Sequence, residues 1–558
     1  MIVEKNVGIP MRDGALLMAN IYRPEKDGNY PVLMCTGIYG KDVHFRDGYK
    51  MPWDALKRLY PNVDSDGSTG EYLRWEMADP DRWVPDDYIL INIDSRGSGQ
   101  TPGYLDPFSP TETADYAEAI TWASEQPWSN GKVGLLGISY LSITQWQVAG
   151  LRPKGLAAIC PWEGGSDLYR DWSHHGGILS YGFPYAWMPR QVLPNQHGNG
   201  ATHHTYAQTG ERTTGPSSFS ADVLAGSRAD HPTDLLNHPL EDEWYKMRSP
   251  KLERINVPVL SAGNWGGIGL HLRGNIEGYL RAGTADKWLC VHIGTHFESF
   301  YLPEYIKVQK KFFDRYLKGI ANGWEDRKPV ELEIRSVNGA TTREEAAWPV
   351  PSTEWKKFHL DAGANSWSTD VAKSESKAEY RGFSDGVTFR TAPFEAETEF
   401  TGPVAAKLFV SSQTEDMDIF ATMRLFDTEG NEVIFEGASE KVPVTRGWLR
   451  ASHRKLDPSR SEPYRPFLTH DERQMLEPGK VYEVDLEIWP TSIVVPEGYQ
   501  LALTLQGKDF EFDGLPGRML HNSEEDRPAA IFDAQNTIYT GPAHPSYVLM
   551  PLIPRSVS

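Results

Sequence analysis

Between residues 131 and 149 the chain reads Gly131-Lys132-Val133-Gly134-Leu135-Leu136-Gly137-Ile138-Ser139-Tyr140-Leu141-Ser142 and continues through Ile143, Trp146 and Val148. Residues 133–136 are a short apolar run, the size of a buried parallel strand. After Ser139 the apolar spacing lengthens to that of a helix. A serine on a sharp strand-to-helix turn is held clear of the sheet, and the N–H groups of the helix behind it point at any oxyanion that forms there. Gly137 leaves room for such a turn. The generic nucleophile elbow has glycine two positions after the serine, and Leu141 stands there instead. Taken alone, the stretch is therefore read either as a nucleophile elbow or as a buried serine in an ordinary strand–helix turn.

The pattern around this stretch repeats. Residues 6–24 read as a hairpin about the turn Met11-Arg12-Asp13-Gly14. Apolar runs at 31–37, 88–94, 155–160, 257–262 and 288–293 read as further strands. A helix is expected over 111–125, and an amphipathic one over 304–318, where Tyr305, Val308, Phe312, Phe313 and Tyr316 share a face. Strands alternating with helices mean a parallel sheet wound by right-handed crossovers. Residues 166–250, rich in Gly, His, Trp and Tyr, are too long for a bare loop. They are read as a largely helical cap over the C-terminal edge of the sheet, where ligands of open α/β sheets bind. After residue 328 short strands alternate with Gly/Pro turns, as in 330–334, 406–410 and 482–488, which predicts an all-β sandwich of jelly-roll type. The fold class is α/β: an α/β-hydrolase core over 1–165 and 251–325, the cap insertion at 166–250, and a jelly roll over 326–558.

Charge and composition narrow the partners. The 558 residues are too many for one core, and 56 Lys+Arg against 76 Asp+Glu give a net charge of −20. An acidic surface argues against nucleic acid and anionic membrane. No apolar run is long enough to span a bilayer, and the first residues do not read as a signal peptide. The three cysteines, Cys35, Cys160 and Cys290, sit in strand-like runs and read as buried thiols, so a reducing, cytoplasmic location is expected. His174-His175, His197 and His203-His204 show no converging ligand spacing, and Gly97-Ser98-Gly99 lacks the lysine of a phosphate loop, so neither a metal nor a nucleotide cofactor is expected.

The chain resembles the X-prolyl dipeptidyl peptidase/cocaine esterase-like (CocE/NonD) serine hydrolases over nearly its whole length. The family elbow Gly-x-Ser-Tyr-x-Gly stands here as Gly137 to Ser142, with Ser142 in place of the last glycine. Residues 10–14, 17–24 and 94–97, together with Pro490-Thr491-Ser492 and Gly498-Tyr499-Gln500-Leu501, are similar to other family pieces. The resemblance implies Ser139 as nucleophile and His296, in Gly294-Thr295-His296, as base. It implies the Tyr39 hydroxyl and the Tyr140 N–H as oxyanion donors; a neutral phenol suits that task. Where the family has its aspartate this chain has Gly266. A histidine base without a carboxylate loses tautomer control, so another acid is expected. Glu163, directly after a core strand, is the first choice; Asp167 and Glu298 are rivals. Trp172, Trp265 and Ile268 are candidates for the acyl pocket. The expectation is a serine hydrolase cleaving a carboxylic ester, or a reactive amide, of a small molecule through an acyl-enzyme. An ester is favoured because the chain starts directly at the core hairpin and shows no acidic cluster for a substrate amine. A silent hydrolase fold serving as a scaffold, or an acyltransferase using the same site, remain the alternatives, and a homo-oligomer is compatible with the sequence.

Overall fold

The computed structural model describes residues 1–438, 441–513 and 520–555. Its core is a ten-stranded sheet. The antiparallel hairpin β1 (Ile2–Pro10) and β2 (Leu16–Arg23) leads into β3 (Tyr30–Gly37), β4 (Ile89–Asp94), β5 (Ser129–Ile138) and β6 (Leu156–Trp162). The spatial order is β1-β2-β4-β3-β5-β6, followed by the strands Val259–Asn264 and Lys287–His292. From β4 onward these six strands pair in parallel with their neighbours. β3, β4 and the strand Val259–Asn264 are buried almost throughout, as continuous apolar runs must be when helices cover both faces. The helix Tyr140–Ala149 is buried all round beneath the sheet edge. The helix Pro110–Ser124 starts one residue earlier than expected, with Pro110 in its first turn and Ser109, rather than Thr111, capping the N–H of Glu112.

Two expectations change. The run 330–334, expected to open the β domain at residue 326, is the strand Val330–Ser336; it pairs in parallel with Lys287–His292 and forms a hairpin with Gly339–Glu345. These strands complete the core sheet. Val330, Leu332 and Ile334 alternate with polar residues because they sit near the sheet's edge, and such alternation does not tell an edge strand from a sandwich strand. The segment 166–250 is less than half helical. A helical stretch begins at Gly182–Trp187 and runs on through a π turn, Met188–Val192, and a 3-10 turn, Leu193–Asn195, while Ala221–Gly226, His231–Asn237 and Glu243–Arg248 are each two turns or less. Aromatic packing among Trp172, Phe183, Trp187 and His231 holds them instead of long helical stripes.

The C-terminal part is a second, mostly antiparallel sheet. Its path returns on itself, because Thr398–Ser412 pairs with both Tyr482–Val495 and Tyr547–Ile553. It shares one apolar core with the helix Leu272–Arg281 through Leu272 and Ile276. Buried Arg273 ties the two parts together: Nη1 donates to Asp171 Oδ1 at 3.0 Å and Nε to Glu487 Oε1 at 2.9 Å. Among the described residues no helix is long and apolar enough to cross a membrane. All three cysteines are buried free thiols.

Candidate active site

Tyr39, Ser139, Glu163, Gly266 and His296 all follow the C-terminal ends of core strands that lie side by side in the sheet. Ser139 has φ +56° and ψ −115°, a conformation costly for any residue with a Cβ. The turn is fixed from three sides. Ser139 N–H donates to Trp162 O and Glu163 O, at 3.0 and 3.1 Å, and Ile138 N–H donates to Glu76 O at 3.2 Å. A Cβ at Gly137 would stand 2.6 Å from Leu141 Cβ, so glycine is required there and Leu141 fills the space a second glycine would leave. Tyr140 opens the helix, where a backbone N–H has no partner four residues back. Its ring turns away, the hydroxyl donating to buried Glu112 at 2.6 Å.

Tyr39 lies in a loop anchored by buried Lys41: the Lys41 N–H donates to Asp94 Oδ1 at 2.7 Å, and its ammonium pairs with Asp42. The Tyr39 hydroxyl accepts from Trp187 Nε1 at 3.0 Å, and Tyr39 lines the same cavity as Ser139. Burial, reinforced by the nearby Glu76 charge, pushes its ionisation well above the usual range, so it stays a neutral phenol.

Glu163 is fully buried with φ +43°. Its Oε2 accepts from His296 Nδ1 at 2.8 Å, and its Oε1 lies 3.3 Å from both Asn264 Nδ2 and His292 Nε2. The rivals are engaged elsewhere. Asp167 pairs with Arg170 and caps the turn that follows it, and Glu298 accepts from the N–H and hydroxyl of Thr295.

The other face of His296 departs from expectation. Its Nε2 lies 3.2 Å from Glu76 Oε1, and the histidine on Ser139 is His271, whose Nε2 is 3.2 Å from the serine Oγ. The two imidazoles stack, with centroids 5.0 Å apart and planes 14° from parallel. The expected Ser139–His296 hydrogen bond is therefore replaced by a Ser139–His271 bond, because Glu76 occupies the His296 nitrogen that would face the serine. Burial opposes charge on His296, but the Glu163 charge and hydrogen bond, followed by those of Glu76, outweigh it and raise its pKa to about 10. Burial raises Glu76 to about 7, against the pull of His296. Glu76 has φ +62°, and its Oε2 is buried with no hydrogen-bond partner among the described residues.

Sequence reasoning missed both Glu76 and His271. Glu76 lies in a stretch with no periodicity, and His271, five residues after Gly266, precedes an ordinary amphipathic helix.

Tyr39, Glu76, Ser139, His271 and His296 form the floor of a cavity of about 450 Å³, with fully buried Glu163 behind His296. Met51, Pro52, Ala55, Phe183, Ile268 and Leu270 give it apolar walls. Of the three residues expected to line an acyl pocket, Ile268 does. Trp172 and Trp265 do not: Trp172 packs on Phe108 and Trp187 and donates to His231, and Trp265 packs on Trp348 and donates to Glu333 O. The roof comes from the C-terminal part, a short hairpin pairing Phe435–Glu436 with Lys441–Val442. Ala438 O accepts from His296 N–H at 2.8 Å, and Ala438 N–H donates to Gly266 O at 3.1 Å. A Cβ at Gly266 would stand 2.5 Å from Gly437 Cα, so the family's aspartate position is filled by the backbone of this hairpin.

A strained serine at the end of a parallel strand, with histidines, a buried carboxylate and a phenol about it, defines a serine hydrolase on an α/β core. Residues 13–298 match the family model described as X-Pro dipeptidyl-peptidase (S15 family), and residues 322–549 match its C-terminal non-catalytic domain. The chain belongs to this CocE/NonD, X-Pro dipeptidyl peptidase-like family of enzymes. It is 25% identical to a cocaine esterase of Rhodococcus sp. (strain MB1 Bresler), covering 99% of both chains. A crystal structure of a CocE/NonD family hydrolase from Staphylococcus aureus is 32% identical, with a TM-score of 0.85 over 99% of this chain and 94% of that one. An α-amino acid ester hydrolase, at 16% identity and a TM-score of 0.68 over 99% of this chain and 96% of that one, shares the fold.

Proposed function

We propose that the protein hydrolyses a small carboxylic ester, or a reactive amide, through an acyl-enzyme on Ser139. The observation that carries this is the strained Ser139 turn opening into a cavity of about 450 Å³ beside the Tyr39 hydroxyl. Ser139 Oγ attacks the carbonyl, the Tyr39 O–H and Tyr140 N–H take the oxyanion, and water cleaves the acyl-enzyme. Glu163 orients His296 from Nδ1. In one reading His296 is the base, and its Nε2 exchanges Glu76 for Ser139. The Ser139–His271 hydrogen bond favours a second reading, with His271 as the acceptor. The apolar walls suit an uncharged acyl or alkoxy group. Likeness to the Rhodococcus esterase supports an ester over a peptide. Around this chemistry, residues 166–250 act as a cap, through Phe183 and Gln191 in the cavity wall, and the closed C-terminal sheet is read as the jelly roll.

A panel of short-chain aryl esters and aminoacyl anilides, with a fluorophosphonate label for the nucleophile, tests the proposal. Ester turnover with label on Ser139 is expected. A protein that folds but neither turns over any ester nor takes the label would be a silent scaffold. Transfer of the acyl group to added alcohols in preference to water would make it an acyltransferase.

A further inference from the structure

The hydrogen-bonded cluster at Ser139 holds two imidazoles and two carboxylates, where a triad needs one of each. We propose that His271 is a second catalytic histidine, which takes the Ser139 proton as the acyl bond forms, while His296 stays between Glu163 and Glu76 as the fixed cation of the site. This rests on the reading of Ser139 as nucleophile and goes beyond it in the identity of the base.

Geometry comes first. A general base has to lie within hydrogen-bond reach of the proton it takes. His271 Nε2 does, at 3.2 Å from Ser139 Oγ. His296 has a carboxylate on each ring nitrogen, at 2.8 and 3.2 Å, and so has no lone pair directed at the serine. His271 is 1% exposed at the start of the helix Leu272–Arg281, so its ring is held by the core rather than by a mobile loop.

Charge is the second argument. With both carboxylates ionised and His296 protonated, the cluster carries one excess negative charge. Proton transfer from Ser139 to His271 supplies the missing positive charge while the serine oxygen's own charge passes to the oxyanion beside Tyr39. In a buried site such pre-placed charge lowers the barrier because nothing has to reorganise. Among the described residues, Glu436 and Lys441 on the cavity wall pair with each other.

The steps balance. The Ser139 O–H bond breaks and its proton goes to His271 Nε2; the Oγ–C bond forms and the carbonyl π pair moves to oxygen. Collapse expels the alkoxide, which takes the proton from His271. Water then gives a proton to His271 as its oxygen adds to the acyl carbon, and Ser139 leaves and recovers that proton.

The test is the pH dependence of fluorophosphonate labelling of Ser139, with ester kcat and KM measured beside it. His271→Gln keeps a donor beside Ser139 but cannot accept its proton. It is expected to label about 10²–10⁴-fold more slowly, with kcat rather than KM affected, and to lose the acid limb of the profile. His271→Ala is expected to regain part of its rate with added imidazole. His296→Gln removes the neighbouring cation and is expected to move the acid limb to higher pH, a shift that a packing role for His271 would not produce. In wild-type protein, a structure of the phosphonate adduct should keep His271 Nε2 on the adduct's Ser139 oxygen and His296 on Glu76; this needs no variant to fold. Wild-type labelling rate and pH profile in His271→Gln overturn the proposal. So does an adduct in which His296 Nε2 sits on that oxygen with Glu76 released. Equal labelling of Ser139→Ala is a separate failure, that of the nucleophile assignment.

Discussion

An imidazole with a carboxylate on each nitrogen, as His296 has, is stabilised as a cation, and that links protonation to folding. Its pKa is raised from the ordinary 6.5 to about 10 in the folded protein, against burial and chiefly through Glu163. A raised histidine contributes stability that is full below about pH 6.5 and is lost as pH rises through about 10. Thermal melts should therefore show Tm falling between pH 7 and 10 in wild type and a flatter curve in Glu163→Gln; parallel curves would remove Glu163 as the main partner. Glu76 has the opposite sense for an acid. Raised from 4.5 to about 7, it favours the folded state at low pH, and that benefit is lost as pH rises through about 7. Ser139 and Tyr39 give sharper tests of the proposed mechanism. Ser139→Ala should lower ester kcat by about 10³–10⁴-fold or more with the far-ultraviolet circular dichroism unchanged. Tyr39→Phe removes one oxygen from a ring already fixed by its edge contacts with Tyr49, Tyr140 and Trp187. A fall in kcat of about 10²-fold with KM nearly constant is expected, and an unchanged kcat would assign Tyr39 to packing alone.

Among elements, the backbone at Glu436 and Gly437 explains why a glycine stands at 266. With Gly437 Cα 2.5 Å and Glu436 O 2.9 Å from a Cβ there, any side chain has to push backbone aside. Gly266→Asp should therefore lower Tm, raise KM by loosening the cavity roof, and fail to restore activity to Glu163→Gln. Rescue of that variant would mean that position 266 can still supply the acid. The clash is invisible in the sequence, where Gly266 reads only as a missing aspartate. The contact of Glu163 with His296 was legible, because each follows a recognisable core strand and chain order limits which strand ends meet. Glu76 and His271 were not, since both lie in irregular chain whose course is set by tertiary contacts. Trp172 and Trp265 misled for a related reason. They are near site residues along the chain, but their rings turn into the aromatic clusters that hold the cap and the sheet edge. The run 330–334 was legible as a strand but not as to which sheet it joins, because parallel addition to Lys287–His292 depends on a crossover partner that no local pattern encodes.

At the scale of the molecule, the cavity at Ser139 is complete only when the C-terminal part is docked, since that part supplies the cavity roof and the carbonyl that holds the His296 N–H. Docking runs through Arg273, which is 3% exposed and lies on the same helix that His271 precedes. Its guanidinium meets Asp171, which the 166–250 segment contributes, and Glu487 of the C-terminal sheet. Arg273 is held charged, well above its usual range, because Glu487 and Asp171 outweigh the burial that opposes the charge. Removing one partner from such a group leaves the others buried without compensation, which typically costs about 3–5 kcal/mol. Arg273→Met keeps most of the volume and loses the charge. It should lower Tm substantially and, at temperatures where it remains folded, raise KM as the roof hairpin loosens from Gly266 and His296. Adding Glu487→Gln to Arg273→Met removes one of the two stranded carboxylates and should recover part of the lost Tm, a non-additivity that a double-mutant cycle reads directly. Strict additivity of the two changes would mean that Arg273 and Glu487 do not act on each other, and that apolar contacts through Leu272 and Ile276 dock the C-terminal sheet without the ion pair.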